Sequence, residues 1–331
     1  MEEHGTIEPL GDDEVPQGAR EVTSDYDPSD AETTFGSLSS SVGGHVWEYG
    51  RRYHAFRYGR YPLPNDDEEQ QREMLRHTML KEVIGGKLYL APIGDNPQKI
   101  IDLGTGFGDW ALEMGDAFPS AKVIGVDLSP IQPQWIPPNV EFVVDDIEDE
   151  WLHANDFDFA HFRFVNTVIK DNASTLRRVF ENLKPGGWVE IQDIFPQVRS
   201  DDNSIPPDYP MIRFYSMVKK VLGERYGFDI RVLETLPSLL QDLGYVNVQR
   251  KIFHLPLGEW ARDPHLRLLG GYFRAVMIDF VGAMAAKPLS EAGYDREEIE
   301  NLMAEVATAA GNRRIHAYLP IHFVWAQKPE A

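Results

Sequence analysis

Apolar and polar positions in residues 99–129 spell out a strand, a turn, a helix and a second strand. The run Ile100-Ile101-Asp102-Leu103 reads as a buried strand. Gly104, Gly106 and Gly108 follow at alternate positions. Trp110, Ala111, Met114 and Phe118 then fall on one helical face, and Val123-Ile124-Gly125-Val126 forms a second strand ending on Asp127. The same alternation continues downstream. Val140–Val144 is a third strand that exits into Asp145-Asp146-Ile147, and the proline-rich stretch before it leaves no room for a long crossover helix. Phe157–Phe162 is a fourth strand, with Arg163, Phe164 and Asn166 just beyond it. Asn172 is placed to cap a helix carrying Leu176, Val179, Phe180 and Leu183 at i, i+3, i+4 and i+7. Lys184-Pro185-Gly186-Gly187 is a stop and turn before a fifth strand, Trp188–Ile191, with Gln192 and Asp193 at its exit.

Residues 208–243 pattern as two helices, Tyr245–Leu255 as a strand, 259–310 as largely helical with a break near Lys287-Pro288, and Ala317–Gln327 as a last apolar strand. Five strands, a helix pair and two late strands predict a seven-stranded, doubly wound α/β sheet, a frame that allows its last strand to insert antiparallel. Upstream, residues 67–84 predict a helix with acids in its first turn, apolar positions Met74, Leu75, Met79 and Val83, and a Gly85-Gly86 stop. No internal repeat is visible.

These patterns divide the chain. Residues 1–44 carry 11 acids against one arginine and few large apolar residues, which predicts a disordered acidic tail. Residues 45–95 form an aromatic and arginine-rich segment plus a cap helix, read as packing over a ligand site. Residues 96–331 form the nucleotide-binding domain, with helical insertions at about 206–243 and 259–310.

The chemistry is concentrated at the glycine turn. A strand, a glycine-rich turn, a helix and an acid 23 residues after Gly104 match the front half of a nucleotide-binding fold, where an acid ~20 residues on holds a ribose diol. The spacing Gly-Thr-Gly-Phe-Gly is one residue shorter than the dinucleotide pattern, and no Gly-Lys-Ser/Thr is present. Asp102 precedes the turn and no basic residue lies in it, so a pyrophosphate is disfavoured there. S-adenosylmethionine has no phosphate and carries an ammonium and a sulfonium, which suit an acidic pocket. A carboxylate at Asp145 or Asp146 is placed for an adenine amino group, and Arg163 lies at the carboxyl end of its strand, where open α/β sheets bind ligands.

Composition adds exclusions. The chain has 331 residues, 42% hydrophobic, and a net charge of −21, which argues against non-specific nucleic-acid or anionic-membrane binding and against reading the aromatic–arginine segment as an RNA-stacking surface. Cysteine is absent, so disulfides, thiolate metal sites and a cysteine nucleophile are excluded. No His and acid cluster has metal-ligand spacing. No apolar run approaches the ~18 residues of a membrane span and no signal pattern opens the chain, so a cytoplasmic or nuclear location is expected.

With these residues in view, the chain resembles the fungal LaeA-like methyltransferases of secondary metabolism, a family named after a nuclear regulator. The resemblance is carried by Asp102-Leu103-Gly104-Thr105-Gly106, by Gly125-Val126-Asp127-Leu128-Ser129-Pro130-Ile131-Gln132-Pro133, by Val140–Trp151, and by Tyr53-His54-x-x-Arg57-x-Gly59-x-Tyr61 ahead of Pro64-Asn65-Asp66. It runs from about His45 to the end. It implies a class I methyltransferase (Rossmann-like) fold and S-adenosylmethionine as cofactor, leaving as S-adenosylhomocysteine. Cofactor contacts are then expected from Asp102, Gly104, Thr105, Gly106, Asp127, Leu128, Asp145, Asp146, Ile147 and Arg163, with Tyr53 and Arg57 covering the ligand.

Methyl transfer demands geometry more than a triad, because the sulfonium already activates the methyl. A general base is optional, and His54, His161 and Asp193 are the residues considered for it; His54 and Asp193 are taken as the catalytic pair, since His161 lies inside a strand. Phe273, Met277, Phe280 and Met284 share a helical face that belongs to the core or to an acceptor pocket. Three activities are compatible with this reading: tailoring of a small secondary metabolite at O or N, regulation through protein partners with methylation of one of them, or a rearrangement that uses the sulfonium only as a fixed charge.

Overall fold

The computed structural model describes residues 6–11 and 44–330. Most of the expected acidic tail, residues 1–5 and 12–43, lies outside the described residues. Residues 6–11 depart from that expectation. Pro9 bridges Ala261, Leu10 N–H donates to Trp260 O at 2.8 Å, and Ile7 is buried beside Trp260 and Tyr318. One apolar side chain and a short antiparallel pairing anchor this stretch.

Two strands, β1 (His45–Glu48) and β2 (Arg51–His54), form a hairpin apart from the main sheet. Its turn places Tyr49 at φ 52° and Gly50 at φ 75°, the paired positive values that match the twist of a two-residue hairpin. Helix α1 (Asp67–Val83) follows, with Asp66 as its N-cap accepting from Glu69 N–H at 3.1 Å. Arg51 in the hairpin braces that cap with bonds of 2.6 and 2.7 Å.

The main sheet contains β3 (Lys99–Leu103), β4 (Lys122–Asp127), β5 (Val140–Val144), β6 (Phe157–Arg163), β7 (Leu183–Ile194), β8 (Val246–Pro256) and β9 (Tyr318–Gln327). Its order is β5-β4-β3-β6-β7-β9-β8, with β9 antiparallel to both neighbours and the pairs from β5 to β7 parallel. This is the expected seven-stranded class I architecture. The order reverses between β3 and β6, and ligands of such sheets bind in the crevice at the carboxyl ends beside that reversal.

Side chains alternate across the sheet and separate its two faces. Ile101, Leu103, Ile124 and Val126 meet Leu176 and Val179 of α3 (Asn172–Asn182) and Leu236 and Leu240 of α5 (Leu236–Asp242). Ile100, Val123 and Phe159 meet Trp110, Ala111 and Met114 of α2 (Asp109–Ala117). A third cluster joins α1, α4 (Pro210–Tyr226), α6 (Pro264–Met284) and α7 (Arg296–Ala310) to the β8–β9 end of the sheet.

Three local expectations are adjusted. The cap of α3 is Asp171, which accepts from Ser174 N–H at 2.9 Å; Asn172 instead donates to Asn166 O and Ile169 O. The Lys184–Gly187 turn is absorbed into β7, because Gly186, at φ 78°, still donates to Lys328 O. By length and composition the helix Pro264–Leu289 is apolar enough to cross a bilayer, contrary to the sequence reading. Its apolarity is spent inside the fold, where Leu269, Phe273, Met277, Val281 and Met284 are buried in the third cluster. The expected break at Lys287-Pro288 is a π-helical turn, Ala285–Leu289.

Candidate active site

A cavity of about 870 Å³ opens at the carboxyl ends of β3, β4, β5 and β6, under the segment that joins β2 to α1. Gly104 and Gly106 form its floor. At Gly104 the backbone has φ +81°, and a Cβ there would stand 2.3 Å from Val165 Cγ2, so only glycine fits. At Gly106, φ +58°, a Cβ would meet nothing within 4 Å, so bare backbone faces open space.

Asp127 closes the turn. Its Oδ2 accepts from Gly106 N–H at 2.8 Å and its Oδ1 from Ser129 N–H at 2.9 Å. Burial raises this carboxyl above the usual range, and the two N–H bonds pull it back. The Gly106 N–H that a phosphate-binding turn offers to its ligand is thus already taken by a carboxylate. Each Asp127 oxygen keeps a further lone pair, enough for a ribose diol.

A branch of about 430 Å³ adjoins the main cavity, sharing Gly104, Gly106 and Arg163. Asp102 and Thr105 line it. Asp102 Oδ2 accepts from Thr105 Oγ1 at 2.6 Å, and its Oδ1 is 2.8 Å from His161 Nδ1 on the neighbouring strand. Register produces this contact: Asp102 and His161 are Cα partners, so their side chains emerge on the same face. Trp110 stacks on His161 at 3.7 Å and 5°. Burial lowers His161 to about 4, outweighing the Asp102 bond, and the ring lines neither compartment, so it orients Asp102 and cannot reach an acceptor.

Arg163 faces both compartments, and burial lowers its guanidinium to about 10, still charged at neutral pH. A carboxylate and a guanidinium in one branch suit a zwitterionic amino acid. The donor set therefore fits S-adenosylmethionine: Asp127 for the ribose, Asp146 for the adenine amino group, Asp102 and Arg163 for the amino-acid end.

Of the residues expected at the cofactor, Gly104, Gly106, Asp127, Leu128, Asp145, Asp146, Ile147 and Arg163 line the main cavity, and Asp102 and Thr105 the branch. Tyr53 and Arg57 line neither. Tyr53 is 1% exposed, with the Lys287 ammonium 4.9 Å from its ring centroid, and Arg57 pairs with Asp149 on the outer surface. Arg60 and Tyr61 of the same segment take the places assigned to them. Arg60 Nε donates to Asp146 Oδ2 at 3.2 Å and the guanidinium also pairs with Glu148, which closes the Asp146 end of the cavity.

His54 is not positioned as a base. It is buried, with Nδ1 2.6 Å from Phe56 O and Nε2 3.1 Å from Tyr61 O, so it clamps the loop that carries Arg60 and Tyr61. Asp193 has a different setting. It lies on a second cavity of about 830 Å³, walled by Met79, Val218, Leu222 and Ile230 and by Phe273, Met277, Phe280 and Met284 of α6. Burial raises Asp193 to about 6, against N–H bonds from Ile194 at 2.8 Å and Thr167 at 3.3 Å. Tyr61, Arg76, Phe164 and Val168 line both cavities, so the two adjoin. At that boundary the Arg76 guanidinium sits 3.8 Å over the Phe164 ring.

The largest omission from the sequence reading is α1. Met74, assigned to its apolar face, is 44% exposed, whereas Glu69 and Arg72 are 4% and 2% exposed. Glu69, Arg72, Glu73 and Arg76 form ion pairs with one another, and Glu69, Glu73 and Arg76 line the cofactor cavity. Their spacing of three and four residues with alternating sign is a one-face pattern visible in the sequence, but it reads equally as a solvated stripe. Among the described residues no cluster of three or more metal-ligating side chains occurs.

Comparison with known proteins places these features in a family. Residues 75–250 match the model of a methyltransferase domain. The chain is 38% identical over 320 residues to methyltransferase pytC of Aspergillus terreus, covering 95% of this chain and 97% of that protein. It is 32% identical over 295 residues to the secondary metabolism regulator LAE1 of Cochliobolus heterostrophus, covering 86% and 94%. It is 33% identical over 287 residues to the protein-methionine methyltransferase laeA of Emericella nidulans, covering 85% and 76%.

Proposed function

The chain belongs to the S-adenosylmethionine-dependent methyltransferase family, and from that premise we propose that it methylates a small, largely apolar molecule at oxygen or nitrogen. The observation that supports this reading is the second cavity: apolar on most of its wall, abutting the cofactor cavity and carrying one carboxyl, Asp193, near the boundary. S-adenosylmethionine, when bound, supplies an electrophilic methyl whose transfer is an in-line displacement.

The chain's own residues do the rest. Gly104 and Gly106 admit the ligand against backbone, Asp127 binds its diol, and Asp146 takes the adenine amino group once Arg60 yields it. Arg163 holds the carboxylate and Asp102 the ammonium. Tyr61 and Phe164 wall both cavities and keep water from the reacting atoms. In-line transfer needs the acceptor ~3 Å from the methyl, so the acceptor atom belongs at the Tyr61–Phe164 boundary. There Asp193, ionised above pH about 6, accepts the proton of an acceptor hydroxyl or ammonium.

A second reading, methyl transfer to a protein partner, is favoured by the 33% identity to a protein-methionine methyltransferase. Incubation with methyl-labelled cofactor, apolar phenols or amines, and a panel of whole proteins separates the two. Label in a small molecule, with a mass gain of one methyl, supports the first; label confined to protein overturns it, and a product of unchanged mass points to rearrangement instead.

A further inference from the structure

Arg163 has a buried setting that the mechanism above leaves unused. Its Nε donates to Gln192 Oε1 at 2.9 Å, its Nη1 lies 2.8 Å from His77 Nδ1, and its Nη2 donates to Leu88 O at 3.3 Å. The middle contact fixes a proton. A guanidinium has no acceptor, so His77 Nδ1 must be the bare nitrogen of a neutral ring and the proton must sit on Nε2. Nε2 lies 3.1 Å from Glu113 Oε1, which takes that proton in a hydrogen bond. Glu113 is itself held by Lys81 Nζ at 2.9 and 2.6 Å.

Three elements thus build a directional chain. Lys81 and His77 stand four residues apart on α1, Glu113 projects from α2, and Arg163 ends β6. Lys81 donates to Glu113, His77 donates to Glu113 from one nitrogen, and Arg163 donates to His77 at the other. Burial, with the Arg163 charge beside it, lowers His77 to about 4, so the ring is neutral in the working range. His77 lines the narrow branch together with Asp102, Gly104, Gly106 and Arg163.

We propose that His77 is a positioning residue for the cofactor: its imidazole, held in the Nε2–H tautomer by Glu113, aims the Arg163 guanidinium at the carboxylate of the amino-acid end of S-adenosylmethionine. Three of the five N–H bonds of Arg163 are pinned to protein acceptors, which leaves two for the ligand and removes the freedom to turn away from it. Orientation of a binding group by its hydrogen-bonded neighbours typically changes affinity by about 10- to 100-fold in comparable relays. The inference rests on the reading of the cavity as a cofactor site.

The test compares two ligands that differ only where His77 is claimed to act. S-adenosylhomocysteine carries the amino-acid end; 5′-methylthioadenosine keeps the adenosine and lacks it. Calorimetry on the full chain gives a dissociation constant for each, in the parent protein and in His77→Ala. The expected result is a loss of about 10-fold for S-adenosylhomocysteine with 5′-methylthioadenosine changed less than about twofold. Equal losses for both ligands, or none for either, overturn the proposal. Should His77→Ala lose its melting transition, Glu113→Leu takes away the acceptor of the His77 Nε2–H at a half-exposed position and is expected to give the same ligand-selective loss, smaller in size; absence of selectivity there overturns the proposal too. Failure of the parent protein to bind either ligand would instead sink the cofactor reading itself.

Discussion

The two adjoining cavities are built by opposite means. The cofactor cavity is made by the sheet: backbone at Gly104 and Gly106, and acids or an arginine at the exits of β3, β4, β5 and β6, each delivered by the end of a parallel strand. The second cavity is made by helices, chiefly α6 and α4 with Arg72, Arg76 and Met79 from α1, and its lining is apolar apart from Asp193, Thr167 and that Arg72–Arg76 edge. Strand ends hold polar groups in fixed register, whereas helix faces offer interchangeable apolar surface. The first arrangement suits an invariant ligand and the second a variable one. Relatives of one family can then keep a cofactor while changing what they methylate.

Each expectation below separates the two cavities or joins them. The largest effect belongs to the floor of the first. Gly104→Val or Asp127→Ala should weaken S-adenosylhomocysteine binding by about 100-fold or more, the former by collision with Val165 in a left-handed backbone, the latter by loss of charged hydrogen bonds. Acceptor binding, measured apart by fluorescence or calorimetry, should hold; an equal loss would mean that the cavities are one cooperative unit.

Next comes Asp193→Asn, expected to lower the single-turnover rate by about 100-fold with cofactor affinity unchanged. A base works deprotonated, and burial raises Asp193 to about 6, so parent activity should fall as the pH drops through that value, higher than for a surface carboxylate. A flat profile from about pH 5 to about pH 8, a window that lies above the ordinary carboxylate range and brackets the raised value of about 6, or a fully active Asn variant removes Asp193 from the chemistry.

Met277→Ala sharpens the contrast on the acceptor side. Truncation of a buried methionine should cost about 2–4 kcal/mol in unfolding free energy and raise the acceptor KM by about 10-fold, or shift preference to a bulkier acceptor, with no change at the cofactor. The smallest effect is expected from Lys287→Met. Lys287 Nζ reaches Tyr58 OH at 2.6 Å and Glu48 Oε2 at 3.0 Å, tying the hairpin segment to the π-helical turn that follows α6. Its loss should speed cofactor release a few-fold in stopped flow, while unchanged release would show the segment to be held by Arg51 and Arg60 alone.

The same contrast decides what the sequence could reveal. Strands and their exits were legible because a both-faces-buried strand must be an apolar run and a glycine at positive φ admits few substitutes, so Gly104, Asp127 and Asp146 could be located by number. The four α6 residues, Phe273 to Met284, were legible as a face, but whether that face fills a core or walls a cavity depends on how far apart the opposing helices stand. On α1, Met79 is buried as its apolar spacing predicts, but Met74 is exposed and a charged stripe packs inward. Its charged stripe is buried only because Glu69, Arg72, Glu73 and Arg76 neutralise one another, a tertiary fact that hydropathy reverses. Tyr53 and Arg57 belong to the correct segment and the wrong turn of it: the bend at Arg57, φ 53°, swings Arg60 and Tyr61 inward, and no local pattern announces that bend. His54 was found as a residue of consequence, but its role is to clamp that bend.

The placement of β9 has a bearing on how the molecule is made. It lies between β7 and β8, pairing with both along most of its length, although it comes some 60 residues after the second of them. During synthesis on the ribosome, β7 and β8 must therefore wait with unpaired edges until residues 318–327 emerge. Nascent chains stalled before that point should be the ones that chaperones hold, and a premature stop there should cost the cell the whole polypeptide.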